Sequence, residues 1–256
     1  MREHRRRGFS ESTIVIVLGV TNRVYRYAAR WLGWAGANPV FLMLPSERPK
    51  PSQGKRRRIF QGRELEQTIR AAGEPCRTLF TVAALTGARL SELLALTWAD
   101  ARLDDLEDAE LEFGHQVDRH GKRQATKTDG SARTVPIPKE LALMLARHKL
   151  GSQFSQATEF LFCTRTGRPL GQRNVTRALR EAQRTATDES GDPTFPVLHQ
   201  QDDQGRPVPV QHGELPSMHS FRHTVASRAL LAGESADEIA FLLGHRDANV
   251  TRAVYV

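Results

Sequence analysis

Apolar residues recur at helical intervals along most of this chain, and this pattern predicts a mainly α-helical protein. In residues 10–34 the apolar positions run from Ile14 to Leu32 at helical spacings, and arginines occupy much of the opposite face. These residues are predicted to form one long amphipathic helix, with a short helical companion at 40–44. Such a short region cannot bury a core of its own, so we expect its apolar side to pack on further residues or on a partner.

The middle of the chain is predicted to combine helices with a small antiparallel sheet, so the expected fold class is α+β, mainly α. The helical pattern covers residues 62–72, 75–86, 89–96, 138–148 and 174–185. Strands are predicted at 109–117, 124–137 and 159–163. The turn Thr128-Asp129-Gly130-Ser131 would place Lys127 at the tip of a hairpin.

Residues 187–216 are polar and rich in Asp, Gln, Gly and Pro. A stretch of this length without a periodic pattern is unusual inside a compact domain, and we interpret it as a mobile loop. It contains His199 and His212, for which the sequence indicates no role.

Two arginines stand at predicted helix starts. Arg89 follows Gly87, which is predicted to end one helix, and an arginine there is unfavourable unless an anion binds, because a helix N-terminus is already positive. A surface arginine at a turn is the alternative interpretation. Arg222 lies three residues after His219, so the two share a face if they open a helix.

The end of the chain contains one further helix with strong boundary signals. Ser235 and Glu238 form the capping box S-x-x-E, and Gly244 is the predicted stop of the helix that begins there. His245 is therefore expected in a turn. Tyr255 is expected in a last helix, pointing away from its apolar stripe.

The charge of the chain favours a polyanionic partner. It has 256 residues, with 37 Lys and Arg against 29 Asp and Glu, and a net charge of +8. Pro, Ser, Gly and basic residues fill 45–58, which we interpret as a basic linker between two domains. The run at its end is either a solvated charge cluster or a set of DNA phosphate contacts, and its residues are Lys55, Arg56, Arg57 and Arg58.

The cysteines and the N-terminus indicate a cytoplasmic protein. Cys76 and Cys163 are far apart in the sequence, in apolar surroundings, which favours reduced thiols over a disulfide. The basic start and apolar residues 14–20 look like a signal peptide, but no clean cleavage site comes after them. No stretch approaches the roughly 20 apolar residues of a membrane span.

Three separated motifs resemble those of the tyrosine recombinases, the family that includes the phage integrases. They are TGARLSELLALTW, the hairpin ATKTDGSARTVPIP, and HSFRHT followed by LGH and a tyrosine. A single H-x-x-R is unspecific, whereas the whole ordered set is very specific. The resemblance implies a tyrosine recombinase catalytic domain at 59–256, and residues 1–44 look like a partial core-binding helical region.

The resemblance also implies a role for each matching residue. The six catalytic positions are Arg89, Lys127, His219, Arg222, His245 and Tyr255. Glu92 matches an acidic position that supports the first arginine, and His223 is expected to be structural.

The chemistry of the family explains these residue types. Arg89 and Arg222 would each give paired hydrogen bonds to a DNA phosphodiester and stabilise the charge of the pentacoordinate state without a metal. Tyr255 has an unperturbed pKa of about 10, so its attack needs nearby positive charge or a base, for which His219 is the candidate. Lys127 would protonate the leaving 5′-oxygen, and His245 would hydrogen-bond the phosphate. The 3′-phosphotyrosyl link keeps the phosphodiester energy, so strands rejoin without ATP or another cofactor.

The predicted function is therefore site-specific recombination of double-stranded DNA at a specific recombination site, by a homo-tetramer in the full-length form. The core-binding region is short, and the chain ends at Val256, one residue after the nucleophile, so we expect a truncated form. The alternative is a DNA-binding remnant of an integrase that lacks strand exchange.

Two other classes of protein share part of this pattern. His219 and His223 are four residues apart, with His245 further on, which is compatible with a metalloprotein. No Glu comes after His219, however, so the pattern H-E-x-x-H fails and no metal is expected. A topoisomerase-like enzyme with the same chemistry but without strand exchange stays open.

Overall fold

The structure is a computed structural model, which describes residues 6–49, 58–126, 132–210 and 213–244. The chain divides into two compact units, within residues 1–56 and 57–256. Helices and small antiparallel sheets make up the described parts, which confirms the predicted α+β class. None of the helices in these parts is long and apolar enough to cross a membrane.

The first unit is dominated by one helix, α1 (Glu11–Trp31). It begins after Ser10, whose hydroxyl oxygen accepts a hydrogen bond from the Thr13 amide at 3.2 Å. The predicted long helix is therefore confirmed. The short helix predicted at 40–44 is wrong, because the Asn38 side chain accepts from the Val40 amide at 3.0 Å and forms a turn there instead.

Most of the apolar side of α1 is exposed. Among the described residues of the first unit, Ile14 is the only buried apolar side chain. Large apolar side chains of α1 that remain exposed are Val15, Ile16, Val20, Val24, Tyr27 and Trp31. The expectation that this side packs on further residues or on a partner stays a prediction.

The second unit is built around a buried helix. Its described α-helices are α2 (Glu64–Ala71), α3 (Cys76–Thr86), α4 (Leu90–Leu93), α5 (Lys139–Gly151), α6 (Gln172–Thr185), α7 (Met218–Leu231) and α8 (Ala236–Leu243). Helix α3 contacts α2, α5, α6 and α7. Phe80 of α3 is fully buried and stacks on Phe221 of α7, with ring centroids 5.5 Å apart. This packing holds α3 against α7.

Five short strands form two antiparallel sheets in the described part of the second unit. One sheet contains β1 (Ala101–Arg102), β2 (Glu110–Phe113) and β5 (Arg133–Pro136), in the order β1-β2-β5. The other contains β3 (His115–Val117) and β4 (Arg123–Ala125). In the first sheet Leu111 lies opposite Val135, and both side chains are buried.

The strand pairing corrects the predicted hairpin. Strand β4 pairs with β3, and β5 pairs with β2, so the two strands that flank residues 128–131 have different partners. The tight turn lies earlier in the chain, where the Asp118 amide donates to the Lys122 carbonyl at 3.0 Å and Gly121 has a φ of +81°. The predicted turn at 128–131 lies outside the described residues.

Two further predictions on chain segments need correction. Residues 159–163 form isolated bridges, from Phe160 to Thr97 and from Cys163 to Pro169, and not a strand. Residues 187–216, predicted to be a mobile loop without a periodic pattern, contain local order in their described part. Two bridges and a short 3₁₀-helix (Pro196–His199) order this segment, and Phe195 anchors it, because its side chain is only 3% exposed.

The boundaries of α8 agree with the sequence signals. The Ser235 hydroxyl accepts from the Glu238 amide at 3.2 Å, and the Glu238 carboxylate accepts from the Ser235 amide at 2.8 Å. Gly244 ends the helix with a φ of +64°. The capping box and the glycine stop are therefore both confirmed.

Candidate active site

The turn from Thr86 to Arg89 is the point where three helices meet. Gly87 ends α3 with a φ of +63°, a conformation that carries little penalty for glycine. Its carbonyl accepts a hydrogen bond from Arg222 Nη1 of α7 at 3.0 Å. A Cβ at this position would lie 2.5 Å from Leu243 Cδ2 of α8. The absence of a side chain at residue 87 therefore lets the end of α8 approach the turn.

Arg89 is held by a carboxylate and remains accessible. Its Nη1 donates to Glu92 Oε1 at 2.7 Å, and its amide donates to Glu92 Oε2 at 3.0 Å. Its Nη2 reaches the carbonyl of Gly244 at 3.4 Å, a long hydrogen bond. The Arg89 side chain is 38% exposed. A guanidinium that is fixed on one side and open on the other is suited to bind an anion.

Glu92 is a buried carboxylate with two guanidinium partners. Its side chain is 3% exposed, and Oε2 also accepts from Arg133 Nη2 at 3.0 Å. Burial alone would raise the pKa of the Glu92 carboxyl. The charge of Arg133 and the hydrogen bonds from Arg89 outweigh burial and hold this pKa below its ordinary value. Glu92 is therefore ionised at neutral pH and orients Arg89.

Arg133 belongs to this cluster but to none of the catalytic positions predicted from the sequence motifs. A signal was present, because Arg133, Val135 and Ile137 alternate along one strand and would share a face. All three are buried in the structure. An arginine on the apolar face of a strand requires a buried acid, and Glu92 is that acid.

Helix α7 presents its chemical groups at its first turns. His219 is exposed, whereas Arg222 is 2% exposed and His223 is 4% exposed. The rings of His219 and His223 meet edge to face, with centroids 4.9 Å apart. His223 thus packs under His219, and its burial is compatible with the structural role expected for it.

Three predicted catalytic residues, Lys127, His245 and Tyr255, lie outside the described residues. Two of them have neighbours that are described. Thr126 precedes Lys127, and its amide donates to the Gly114 carbonyl at 3.1 Å. Gly244 precedes His245 and has the contact with Arg89 given above. Of the predicted catalytic residues that are described, Arg222 binds the turn before Arg89, and His219 lies three residues before Arg222 on α7. The roles of all three stay predictions.

The basic run before the second unit is described only at its last residue. Arg58 Nη2 donates to Glu64 Oε1 at 2.5 Å, and its other nitrogens contact the carbonyls of Ile59 and Glu214. DNA binding by Arg58 would have to replace these contacts. Lys55, Arg56 and Arg57 lie outside the described residues.

Among the described residues, no three side chains of the types His, Cys, Asp and Glu lie close enough together to hold a metal ion. Cys76 and Cys163 are both free thiols. Burial raises the pKa of each thiol, so neither is activated as a nucleophile.

Comparison with known proteins places the second unit in one family. Residues 58–256 match the family model described as the phage integrase family. The chain is 26% identical to a "Tyrosine recombinase XerC-like" protein of Caldanaerobacter subterraneus subsp. tengcongensis, over 97% of this chain and 63% of that protein. It is 27% identical to an "Integrase" of Streptomyces ambofaciens, over 81% of this chain and 51% of that protein. The chain thus spans about half to two thirds of the length of these relatives.

Solved structures share the fold at low sequence identity. The Tn1549 transposon integrase in complex with a circular intermediate DNA is 18% identical, with a TM-score of 0.73, over 99% of this chain and 78% of that one. A lambda integrase dimer bound to a COC′ core site is 17% identical, with a TM-score of 0.65, over 100% of this chain and 62% of that one.

Proposed function

Since this chain belongs to the phage integrase family, we propose that it is a tyrosine recombinase that breaks and rejoins DNA strands through a 3′-phosphotyrosyl intermediate. The observation that carries the proposal is the meeting of Arg89 and Arg222 at one turn. Arg222 Nη1 donates to the carbonyl of Gly87, two residues before Arg89. The two arginines come from segments more than a hundred residues apart in the chain. Arg222 binds the turn that leads to Arg89, and Arg89 Nη2 reaches the Gly244 carbonyl at the end of α8.

Two guanidiniums at one phosphate explain the reaction without further cofactors. Each presents a planar fork that can donate two hydrogen bonds to nonbridging oxygens. The bonds strengthen as charge develops on these oxygens in the pentacoordinate transition state. Arg89 is oriented for this task by Glu92, which binds one side of its guanidinium.

The remaining roles are set by the chemistry of the step. Tyr255 attacks the phosphorus, and the bond to the 5′-oxygen of the next nucleotide breaks. His219, exposed at the start of α7, accepts the phenol proton. Lys127 donates a proton to the leaving 5′-oxygen, and His245 hydrogen-bonds the phosphate. Attack by a 5′-hydroxyl on the phosphotyrosine reverses these transfers and seals a strand.

The burial of Arg222 adds a requirement. Its side chain is almost inaccessible, whereas that of Arg89 is partly open. A phosphate can contact both only after the surroundings of Arg222 open. The proposed reaction therefore includes an opening step before cleavage.

Double-stranded DNA is the proposed substrate, and a homo-tetramer the proposed assembly of the full-length form. The net charge of +8 favours a polyanion. One structure with the same fold is that of a lambda integrase tetramer bound to a Holliday junction, with a TM-score of 0.59 and 18% identity. Because the chain spans 63% and 51% of the relatives named above, the substrate and the assembly stay proposals.

The proposal is tested with a nicked duplex that carries the repeated DNA flanking the coding region. The nick lets a short strand diffuse away after cleavage, so that the covalent protein–DNA adduct accumulates. We expect the adduct with the wild-type protein in EDTA, and no adduct with Tyr255→Phe at unchanged DNA affinity. An adduct formed by Tyr255→Phe, or a strict metal requirement, would contradict the mechanism.

The same assay tests the arginines. Lysine keeps the positive charge but lacks the planar fork, so Arg89→Lys is expected to slow cleavage by about 100-fold or more. An equal cleavage rate for this variant and the wild type would show that Arg89 does not bind the phosphate in the transition state. If the wild-type protein cleaves single sites but never exchanges strands between paired sites, the alternative of a remnant without strand exchange replaces the recombinase.

A further inference from the structure

We infer that Arg133 is a positioning residue, which ties the C-terminal end of α8 to Arg89 through the shared carboxylate of Glu92. The inference rests on the proposed function for its effect on catalysis. Its structural part, the tie itself, can be tested without DNA.

The tie is a closed chain of polar contacts. Arg133 Nε donates to the carbonyl of Leu242 at 2.8 Å, and its Nη2 donates to Glu92 Oε2 at 3.0 Å. The other oxygen of Glu92 accepts from Arg89 Nη1, and Arg89 Nη2 reaches the carbonyl of Gly244. Two guanidiniums that share one carboxylate thus hold two carbonyls at the end of one helix.

The end of α8 needs such partners. The last carbonyls of a helix have no N–H partner within the helix and require other donors. At the end of α8 the Gly244 amide donates to the carbonyls of Ala240 and Phe241, and Arg133 donates to the Leu242 carbonyl. A positive side chain also interacts favourably with the negative end of the helix dipole. Arg133 therefore acts as a C-terminal cap supplied by a distant strand.

The position of this helix end matters because of the residues that come after it in the sequence. Gly244 directly precedes His245, and Tyr255 comes ten residues after that. Helix α8 has eight residues, a length at which a helix depends on tertiary contacts for its stability. By fixing the backbone at Leu242, Arg133 thus sets the position at which the next segment begins. That segment contains the predicted catalytic residues His245 and Tyr255.

Only the guanidinium of arginine can make both contacts in this geometry. It carries donors on separate nitrogens in one plane, and lysine has a single ammonium. The guanidinium of Arg133 also lies over the ring of Phe113, with its central carbon 4.7 Å from the ring centroid. The ring and the carboxylate together fix the plane of the fork, so that Nε faces Leu242.

The test uses Arg133→Lys, with Arg77→Lys as the matched control. Lysine at 133 keeps a positive charge beside buried Glu92, so the variant should fold. Arg77, in the first turn of α3, likewise donates to a carbonyl at a helix end: its Nε binds the Ala72 carbonyl at the end of α2, at 2.8 Å. This contact lies at the opposite end of α3 from the turn that leads to Arg89. Three quantities are measured: the single-turnover cleavage rate on the nicked duplex, the DNA affinity, and hydrogen exchange of residues 236–244 without DNA.

We expect Arg133→Lys to cleave roughly 10- to 100-fold more slowly at saturating DNA, because a misplacement of about 1 Å has effects of this size. Its DNA affinity should be unchanged, and residues 236–244 should exchange faster, while Arg77→Lys behaves like the wild type in all three.

An unchanged cleavage rate in Arg133→Lys, or unchanged exchange at 236–244, would overturn the inference. The inference would also be overturned if Arg133→Lys lost cleavage and DNA affinity and exchanged faster throughout the second unit, because this result would show a role in stability alone. If the wild-type protein forms no adduct, the proposed function fails, and the exchange data still decide whether Arg133 ties down α8.

Discussion

Glu92 is expected to be one of the most sensitive positions in the protein, and the substitution Glu92→Gln isolates its charge. The amide has nearly the shape of the carboxylate, so it creates no cavity. It leaves Arg133, whose side chain is 1% exposed, as a buried cation without its acid. It also turns an amide N–H₂ towards groups that are themselves donors, at Arg133 Nη2 or Arg89 Nη1.

The expected loss in the free energy of unfolding is about 3 kcal/mol, the lower end of the cost of removing one partner of a buried ion pair. The lower end applies because the amide oxygen still accepts one hydrogen bond. Glu107→Gln is the matched control, since Glu107 pairs with Lys139 but is 69% exposed. Exposed pairs of this kind contribute less than about 1 kcal/mol.

Urea unfolding followed by tryptophan fluorescence measures the difference. Trp98 of the second unit is buried, whereas Trp31 and Trp34 are exposed, so the emission shift reports mainly on the second unit. Combining Glu92→Gln with Arg133→Met removes both charges, and the pair should be less destabilised than the sum of the single variants. Equal, small losses for Glu92→Gln and Glu107→Gln would refute the role given to the buried charge.

Two further predictions concern the same cluster. The pKa of Glu92 is lowered by folding, so its contribution to stability is fully present above its unfolded pKa of about 4.3 and is lost as the pH falls through the folded pKa. The difference in urea midpoint between the wild type and Glu92→Gln should therefore be constant between roughly pH 5 and pH 7, and should shrink below about pH 4.3. A difference that grows in acid would contradict this sign. Gly87→Ala should be more destabilising than Gly121→Ala by about 1–3 kcal/mol in the same assay, since both glycines have a positive φ but only a Cβ at 87 meets Leu243. Equal losses for the two glycines would show that α8 does not depend on the close approach.

The local signals in the sequence were sufficient for most of the helices of the second unit. They failed at 40–44, where no helix forms, and at 89–96, where α4 covers only Leu90–Leu93. The capping box at Ser235 and the glycine at 244 both depend on neighbouring residues only, and both are present in the structure. Gly87 likewise ends α3 as the sequence indicates. Helix boundaries of this kind are determined by side-chain and backbone contacts within a few residues, which a sequence displays directly.

The pairing of strands could not be predicted from the sequence as well as the helices could. The strands around 128–131 were expected to pair with each other, but β5 crosses to β2 and leaves β4 with β3. The alternation of apolar and polar residues within a strand does not indicate its partner, because either pairing buries the same alternate residues.

Arg133 shows the same limit at the candidate site. Its place on a buried face could be seen from the alternation with Val135, but its contacts with Glu92 and Leu242 join three distant segments. The local order in residues 187–216 was not foreseen for a related reason. Their composition is polar, but the single side chain of Phe195 is enough to anchor the segment in the core.

The most direct measurement identifies the amino acid that becomes joined to DNA. The protein is trapped on the nicked duplex in EDTA, digested with nuclease and trypsin, and sequenced by mass spectrometry. The chain has three tyrosines, and arginines at 26, 30 and 252 place them in different peptides, so Tyr25 and Tyr27 serve as internal controls. We predict a nucleotide phosphate on Tyr255 alone. A nucleotide on another residue, or an adduct that forms only after a divalent metal is added, would contradict the two-arginine, tyrosine mechanism.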